Sequence, residues 1–405
     1  MNWENVLAGR TDRMKASEIR ELLKLLDQPD IISFAGGIPD PSLFPADAFR
    51  TAMHDALSGE KAGDALQYSV SEGYLPLRNW IAMQMNDLGV PCSAENVLIT
   101  SGSQQALDYL GKLLLDPGDT ALVNWPTYLG ALGAFNAYEP RYDRLDPGHN
   151  QPAASYADSA QAAGSKIKFA YLSVDFANPT GETLNLAQRN RILDLADALD
   201  ISVIEDAAYQ SLRYDGDALP PILALEINRK GSIEDCRTLY CGSFSKSLSP
   251  GLRVGWVCGA ASVIQRLVLM KQASDLHSPT LNQIATHHVA SAHFKDHVAN
   301  LRHVYGSRRD AMLTALEHYM PEGVSWTRPE GGMFVWLTLP KNFDGADLLI
   351  SAIKDERVAF VPGRAFFADG TGANTLRLSF SCTDPAKIDT GIRRLGRLIS
   401  GKAAS

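Results

Sequence analysis

Between about residue 95 and residue 260, short apolar runs rich in β-branched residues alternate with longer stretches whose apolar positions recur every three or four residues. The short runs are NVLIT ending at Thr100, TALVNW (120–125), KFAYLSV (168–174), SVIED (202–206), TLYCGS (238–243) and VGWVCG (254–259). The periodic stretches include QQALDYLGKLLL (104–115), closed by Asp-Pro-Gly-Asp, and LAQRNRILDLADAL (186–199). This alternation predicts a mostly parallel sheet covered by helices on both faces, an α/β arrangement in three layers. Chemistry on such a sheet gathers on the loops that leave the carboxyl ends of its strands.

From about residue 320 the order changes to the strands MFVWLTL, RVAFVPG and LRLSF with helices over 344–355 and 385–400, which suits a smaller α+β unit. A polar helix and the Gly/Pro-rich IISFAGGIPDPSLFP open the chain and are expected to pack with that unit. The expected division is therefore 1–45 with the small domain, 46–290 as the large domain and 291–405 as the rest of the small one. No internal repeat, low-complexity tract or long linker interrupts this plan.

Composition narrows the class. At 405 residues, 45% hydrophobic and 21% charged, the balance is that of a soluble, enzyme-sized globular protein. A net charge of -8 argues against coating a phosphate backbone, so no nucleic-acid partner is expected. The five cysteines are scattered without metal-ligand spacing and read as reduced thiols of a cytoplasmic protein. Charges break up the first 26 residues, leaving no apolar core of an export signal. No apolar run is long enough to cross a membrane, so no membrane partner is expected.

The stretch GSFSKSLSPGLRVGW (242–256) sets Lys246 among four hydroxyls, with Arg253 beyond. An amine attacks carbonyls well when neighbouring cations or a dry site lower its pKa. The surrounding hydroxyls and the guanidinium would together bind a dianion such as a phosphate monoester. TSGSQQ (100–105) follows a strand and opens a helix, so Gly102 lets backbone approach a ligand and the helix start favours an anion. Ser and Gly before a helix are more often a simple cap. No nucleotide-phosphate fingerprint accompanies them. Asn178 and Asp206 follow or end further strands, so with Lys246 and Arg253 they can converge on one crevice.

Nine pieces in order carry a family resemblance: SFAGGIPDPSLFP, LQYSVSEGYLPLR, TSGSQQALD, NWPTY, FANPTG, EDAAY, GSFSKSLSPGLRVGW, PEGGMFVW and LRLSF. From about residue 17 to residue 390 the chain resembles the fold type I pyridoxal-phosphate aminotransferases of classes I and II. It looks closest to the branch of 2-aminoadipate, kynurenine and broad aromatic aminotransferases. The resemblance implies a large pyridoxal 5'-phosphate-binding domain with a smaller α+β domain built from both termini. It also implies a homodimer with shared sites.

By the same resemblance, Lys246 would hold the cofactor as a Schiff base and shuttle the proton, and Asp206 would keep the pyridine nitrogen protonated. Asn178 and Tyr209 would hydrogen-bond its phenolic oxygen, and Tyr128 would stack on the ring. Ser103, Gln104, Ser243, Ser245 and Arg253 would hold the phosphate, with Tyr68 arriving from the neighbouring subunit. Arg377 would pair with the substrate carboxylate, helped by Asn178 and the backbone of Gly37. Ser17 and Arg20, three apart in KASEIREL, would face the substrate side chain from a mobile helix.

The expected activity is transfer of the amino group of an L-amino acid (2-aminoadipate, glutamate, aromatic or large aliphatic) to a 2-oxo acid, 2-oxoglutarate foremost, by a ping-pong route. Two alternatives remain open at this level: a lyase or decarboxylase using the same cofactor, and a non-catalytic effector domain of a regulator. No metal is expected.

Overall fold

The computed structural model describes residues 3–14, 30–60 and 62–403. After β1 (Ile32–Ser33), seven strands form the central sheet: β2 (Val97–Thr100), β3 (Thr120–Asn124), β4 (Arg141–Leu145), β5 (Ile167–Leu172), β6 (Ser202–Asp206), β7 (Thr238–Ser243) and β8 (Gly255–Cys258). Their order is β2-β8-β7-β6-β5-β3-β4. All neighbours are parallel except β8, which runs antiparallel to both β2 and β7. Six of the seven strands coincide with apolar runs of the sequence.

Helices cover both faces, so each face needs apolar residues and the strands read as continuous apolar runs. Leu98, Val123, Phe169, Ile204, Leu239 and Val257 point to one layer, packed with the helices Ser103–Leu114, Leu129–Phe135 and Ala261–Gln272. Their neighbours Val97, Ile99, Tyr240 and Cys258 belong to a core on the other side, and Leu122, Ala170, Leu172 and Val203 to another there. The exception is β4, whose sequence RYDRL carries no apolar run because it closes the sheet edge and only Leu145 is buried.

A second, antiparallel sheet has the order β12-β13-β10-β9, from β9 (Ser325–Trp326), β10 (Phe334–Thr338), β12 (Val361–Pro362) and β13 (Thr375–Ser379). The run RVAFVPG divides at buried Phe360: its first half is β11 (Val358–Ala359), which pairs in parallel with β1, and its second half is β12. Residues from both ends of the chain thus share one core, in which Phe34, Phe334, Phe360, Leu378 and Ile392 pack together.

The helix Thr280–Tyr319 runs 40 residues. Its buried Ala285, Val289 and Ala290 pack with Trp80 and Phe244 under the central sheet, and Leu301, Tyr305, Met312 and Leu316 pack with the smaller core. Among the described residues no helix is long and apolar enough to cross a membrane.

Candidate active site

The parallel strands deliver their chemistry to one end of the sheet. Ser103 opens the helix after β2, Tyr128 follows β3, Asn178 follows β5, Asp206 ends β6, Ser243 ends β7 and Lys246 lies on the turn beyond it. Arg377 comes from β13 of the second sheet and Gly37 from the loop after β1. These residues, with Gln104, Tyr209, Ser245 and Arg253, line one cavity of about 350 Å³. Tyr68 is not among them: it is 79% exposed, with its ring edge-on to His277 at 6.0 Å. Ser17 and Arg20 lie outside the described residues.

At one end of the cavity is an anion cradle. Gly102 has φ 78°, which glycine alone adopts without strain, and the helix behind it has no side-chain cap. An added Cβ would stand 2.2 Å from Arg253 Nη2. Gly255 is equally constrained, since a Cβ there would meet the carbonyl carbon of Gly102 and the nitrogen of Ser103 at 2.7 Å. Arg253 donates to Ser101 O and Pro250 O, both at 3.2 Å, and among the described residues it meets no carboxylate. Ser243 Oγ donates to Ser245 Oγ at 2.8 Å and accepts from Ser245 N at 3.0 Å. Gln104 donates to Gly130 O at 2.6 Å and accepts from the Tyr128 hydroxyl at 3.5 Å. Backbone N–H groups at a helix start, two serines and a guanidinium make a fitting phosphate receptor.

Lys246 lines the same cavity. Its Nζ donates to Gly37 O at 3.0 Å and lies 5.8 Å from the centre of the Tyr209 ring. Burial, with Arg377 and Arg253 nearby, pulls its pKa down to about 8 against the opposing pull of Asp206. The amine therefore holds its proton far less tightly than an exposed lysine.

Asp206 is buried and meets no basic partner at ion-pair distance among the described residues. Burial pushes its carboxyl above the usual range, and bonds from Tyr171, the Ala208 backbone and the charge of Lys246 oppose that push. The Tyr171 hydroxyl donates to Oδ2 at 2.8 Å and Ala208 N to Oδ1 at 3.4 Å. Burial likewise pushes the Tyr209 phenol up, and that of Tyr128 to about 12, so both are neutral donors at physiological pH.

In the same cavity, Arg377 Nη1 donates to Asn178 Oδ1 at 2.9 Å and Nη2 to Ala35 O at 3.0 Å. Its Nε is buried and has no hydrogen-bond partner among the described residues. The guanidinium lies over Phe334 at 4.3 Å and Phe366 at 5.1 Å, which fixes its plane. Burial lowers its pKa to about 10, which leaves it charged at neutral pH. Asn178 Nδ2 reaches the Tyr209 hydroxyl at 3.5 Å, tying the two sides together. Gly37 admits this contact: a Cβ would stand 3.4 Å from Arg377 Nη2 and 3.2 Å from Phe334.

Sequence reasoning missed Tyr171 and Ser173. Ser173 lines the cavity and donates to Asp206 O at 3.0 Å. Both sit in KFAYLSV, where the apolar pattern accounts for a tyrosine as core. Only the register of β5 against β6, with Tyr171 beside Ile204, shows that its hydroxyl reaches a carboxylate.

The family description "Aminotransferase class I and II" matches residues 29–395. The chain belongs to the class I and II aminotransferases. It is similar to the 2-aminoadipate transaminase of Thermus thermophilus, 43% identical over 404 residues, covering 100% of this chain and 99% of that one. It is also similar to aromatic-amino-acid aminotransferase 1 of Thermococcus litoralis, 41% identical over 405 residues, covering 98% and 95%. Among solved structures it matches the kynurenine aminotransferase of Pyrococcus horikoshii, in complex with PMP and with KYN and KYA as substrates and products. That match has TM-score 0.89 and 41% identity, covering 99% of this chain and 98% of that one.

As a class I and II aminotransferase, the chain is a pyridoxal-phosphate enzyme of fold type I that transfers amino groups. Membership favours neither the lyase nor the effector-domain alternative. The cavity fits that cofactor. It offers a cradle for a phosphate, a buried carboxylate that burial alone destabilises, and an amine without a counter-ion among the described residues.

Proposed function

We propose that this aminotransferase takes its amino group from 2-aminoadipate, glutamate, aromatic or large aliphatic L-amino acids and passes it to 2-oxoglutarate by a ping-pong route. The observation that carries the reading is the Asn178–Arg377 pair lining the same cavity as Lys246. A guanidinium packed against two rings can take both oxygens of an α-carboxylate, a fork that a lysine does not reproduce.

In this reading Ser103, Gln104, Ser243, Ser245 and Arg253 hold the cofactor phosphate, and Tyr128 lies against the ring. Asp206 keeps the proton on the ring nitrogen, an ionic contact that would stabilise a carboxylate now raised by burial. Asn178 and Tyr209 would donate to the phenolic oxygen. When bound, pyridoxal phosphate supplies an electron sink for the charge left at Cα. Lys246 would hold it through the amine, and once a substrate amine takes that place the freed Nζ would serve as the base that takes and returns the proton. Arg377, with Asn178 and the Gly37 backbone, fixes the carboxylate so that the Cα–H bond faces Nζ.

The finer parts of the proposal are a cytoplasmic homodimer in which Tyr68 completes the neighbour's cradle, Ser17 and Arg20 meeting the substrate side chain, and a small domain formed by 1–45 and 291–405 around a large domain of 46–290. Adding L-glutamate to the purified protein is expected to shift the cofactor's visible band to shorter wavelength with release of 2-oxoglutarate. No spectral change with any of the twenty amino acids would sink the proposal.

A further inference from the structure

Lys271 is fully buried in the helix Ala261–Gln272, outside the cavity, and no step above uses it. A buried ammonium is costly unless paired and hydrogen-bonded, so its partners show what the charge is for. Nζ donates to both oxygens of Asp275 at 3.0 Å and to Gln105 Oε1 at 2.9 Å. Gln105 Oε1 also accepts from Ser101 N at 2.8 Å, and its Nε2 donates to Asp275 Oδ2 at 2.8 Å. Asp275 further accepts from Ser101 Oγ at 3.2 Å and the Tyr109 hydroxyl at 3.3 Å.

The amide of Gln105 therefore has a single satisfactory orientation. Its oxygen faces two donors and its nitrogen faces a carboxylate, so a flipped amide would oppose like to like at every contact. The backbone it secures is that of Ser101, whose carbonyl accepts from Arg253 and which leads through Gly102 into Ser103. Lysine, aspartate, amide and loop form one continuous chain of bonds ending at the anion cradle.

We propose that Lys271 and Asp275 are positioning residues for the cofactor phosphate: the pair locks Gln105, and Gln105 holds the Ser101–Ser103 backbone and Arg253 in the arrangement that receives the dianion. The inference rests on the proposed reading of that cradle. Because the pair acts at the phosphate end alone, its loss should be felt by a ligand that carries phosphate and not by one that lacks it.

The test compares pyridoxal phosphate with pyridoxal, titrated into the full-length apoprotein and followed by absorbance. In Lys271→Met the Kd for pyridoxal phosphate should rise about tenfold or more while that for pyridoxal stays unchanged, consistent with the loss of one charge-supported contact. Equal weakening of both ligands would show general support of the fold, and no weakening of either would show no role; each overturns the proposal. Asp275→Asn, whose side chain is 32% exposed in the wild type, supplies the same comparison if the buried substitution prevents folding, and the same two outcomes overturn it. Arg253→Lys serves as the control on the cradle. If it fails to weaken pyridoxal phosphate selectively, the cradle reading is wrong; if it succeeds where Lys271→Met and Asp275→Asn do not, the Lys271 inference alone falls.

Discussion

On the proposed reading Lys246 serves as both attachment point and base, and its lowered pKa suits it to either task. A neutral amine is needed to attack the cofactor aldehyde, so attachment to the apoprotein should slow as pH falls below about 8 and level off above it. Stopped-flow reconstitution across pH 6 to 10 reads this directly, and a rate still rising at pH 10 would mean an ordinary lysine. If Asp206 holds the ring-nitrogen proton as proposed, Asp206→Asn removes that charge and keeps the shape, so kcat should fall by about 100-fold or more. Arg377→Lys keeps the charge but loses the fork. We expect kcat/KM to fall by about 10- to 100-fold, with kcat and KM both affected because the clamp binds and orients. A change in KM alone would confine Arg377 to binding.

At the scale of elements, the cradle depends on how closely β8 approaches the start of the helix Ser103–Leu114. Gly255→Ala would drive a methyl into Gly102 and Ser103; we expect cofactor affinity to drop about tenfold or more, readable as loss of cofactor on dialysis. A second link joins β6 to the helix Ile222–Lys230: buried Glu205 accepts from Ile222 N at 2.9 Å and Leu223 N at 3.1 Å, where side-chain caps are absent. Burial pushes its carboxyl up to about 7, although Arg189 and these two bonds pull it down. A raised folded-state pKa stabilises at low pH and is lost as pH climbs through it. The Tm advantage of wild type over Glu205→Gln should therefore shrink as pH rises from 5 to 8, and an advantage that grew over that range would contradict a raised pKa.

For the whole molecule, the site needs two sheets and, on the proposed reading, two chains. Arg377 and Gly37 come from the smaller unit and Lys246 and Asp206 from the larger, while Tyr68 is exposed and is the residue proposed to serve a neighbour. Mixing Lys246→Ala with Tyr68→Ala tests the last point. Hybrid dimers would hold one intact site each, so random exchange should restore about a quarter of wild-type activity from two impaired parents. No recovery after subunit exchange would place Tyr68 outside the partner's site.

How much was legible follows from what each feature needs. Strands buried on both faces require unbroken apolar runs, so six strands of the central sheet could be read from hydropathy; β4, half in solvent, had no such demand on it and left no trace. The residues at strand ends were legible because each sits in a short motif: Lys246 among its serines, Asn178 before a proline, Gly102 before a helix. Their strand-end positions also pointed to one crevice, where Asn178, Asp206, Lys246 and Arg253 do meet; Tyr171, Lys271 and Asp275 were not legible, because their contacts rest on strand register and on bonds such as the one from Lys271 back to Gln105 across the chain. Local order along the chain thus determined the elements and the chemical groups they carry. Only the folded packing decided which buried charge meets which partner, because burial and distance set a pKa, and neither is a property of sequence position.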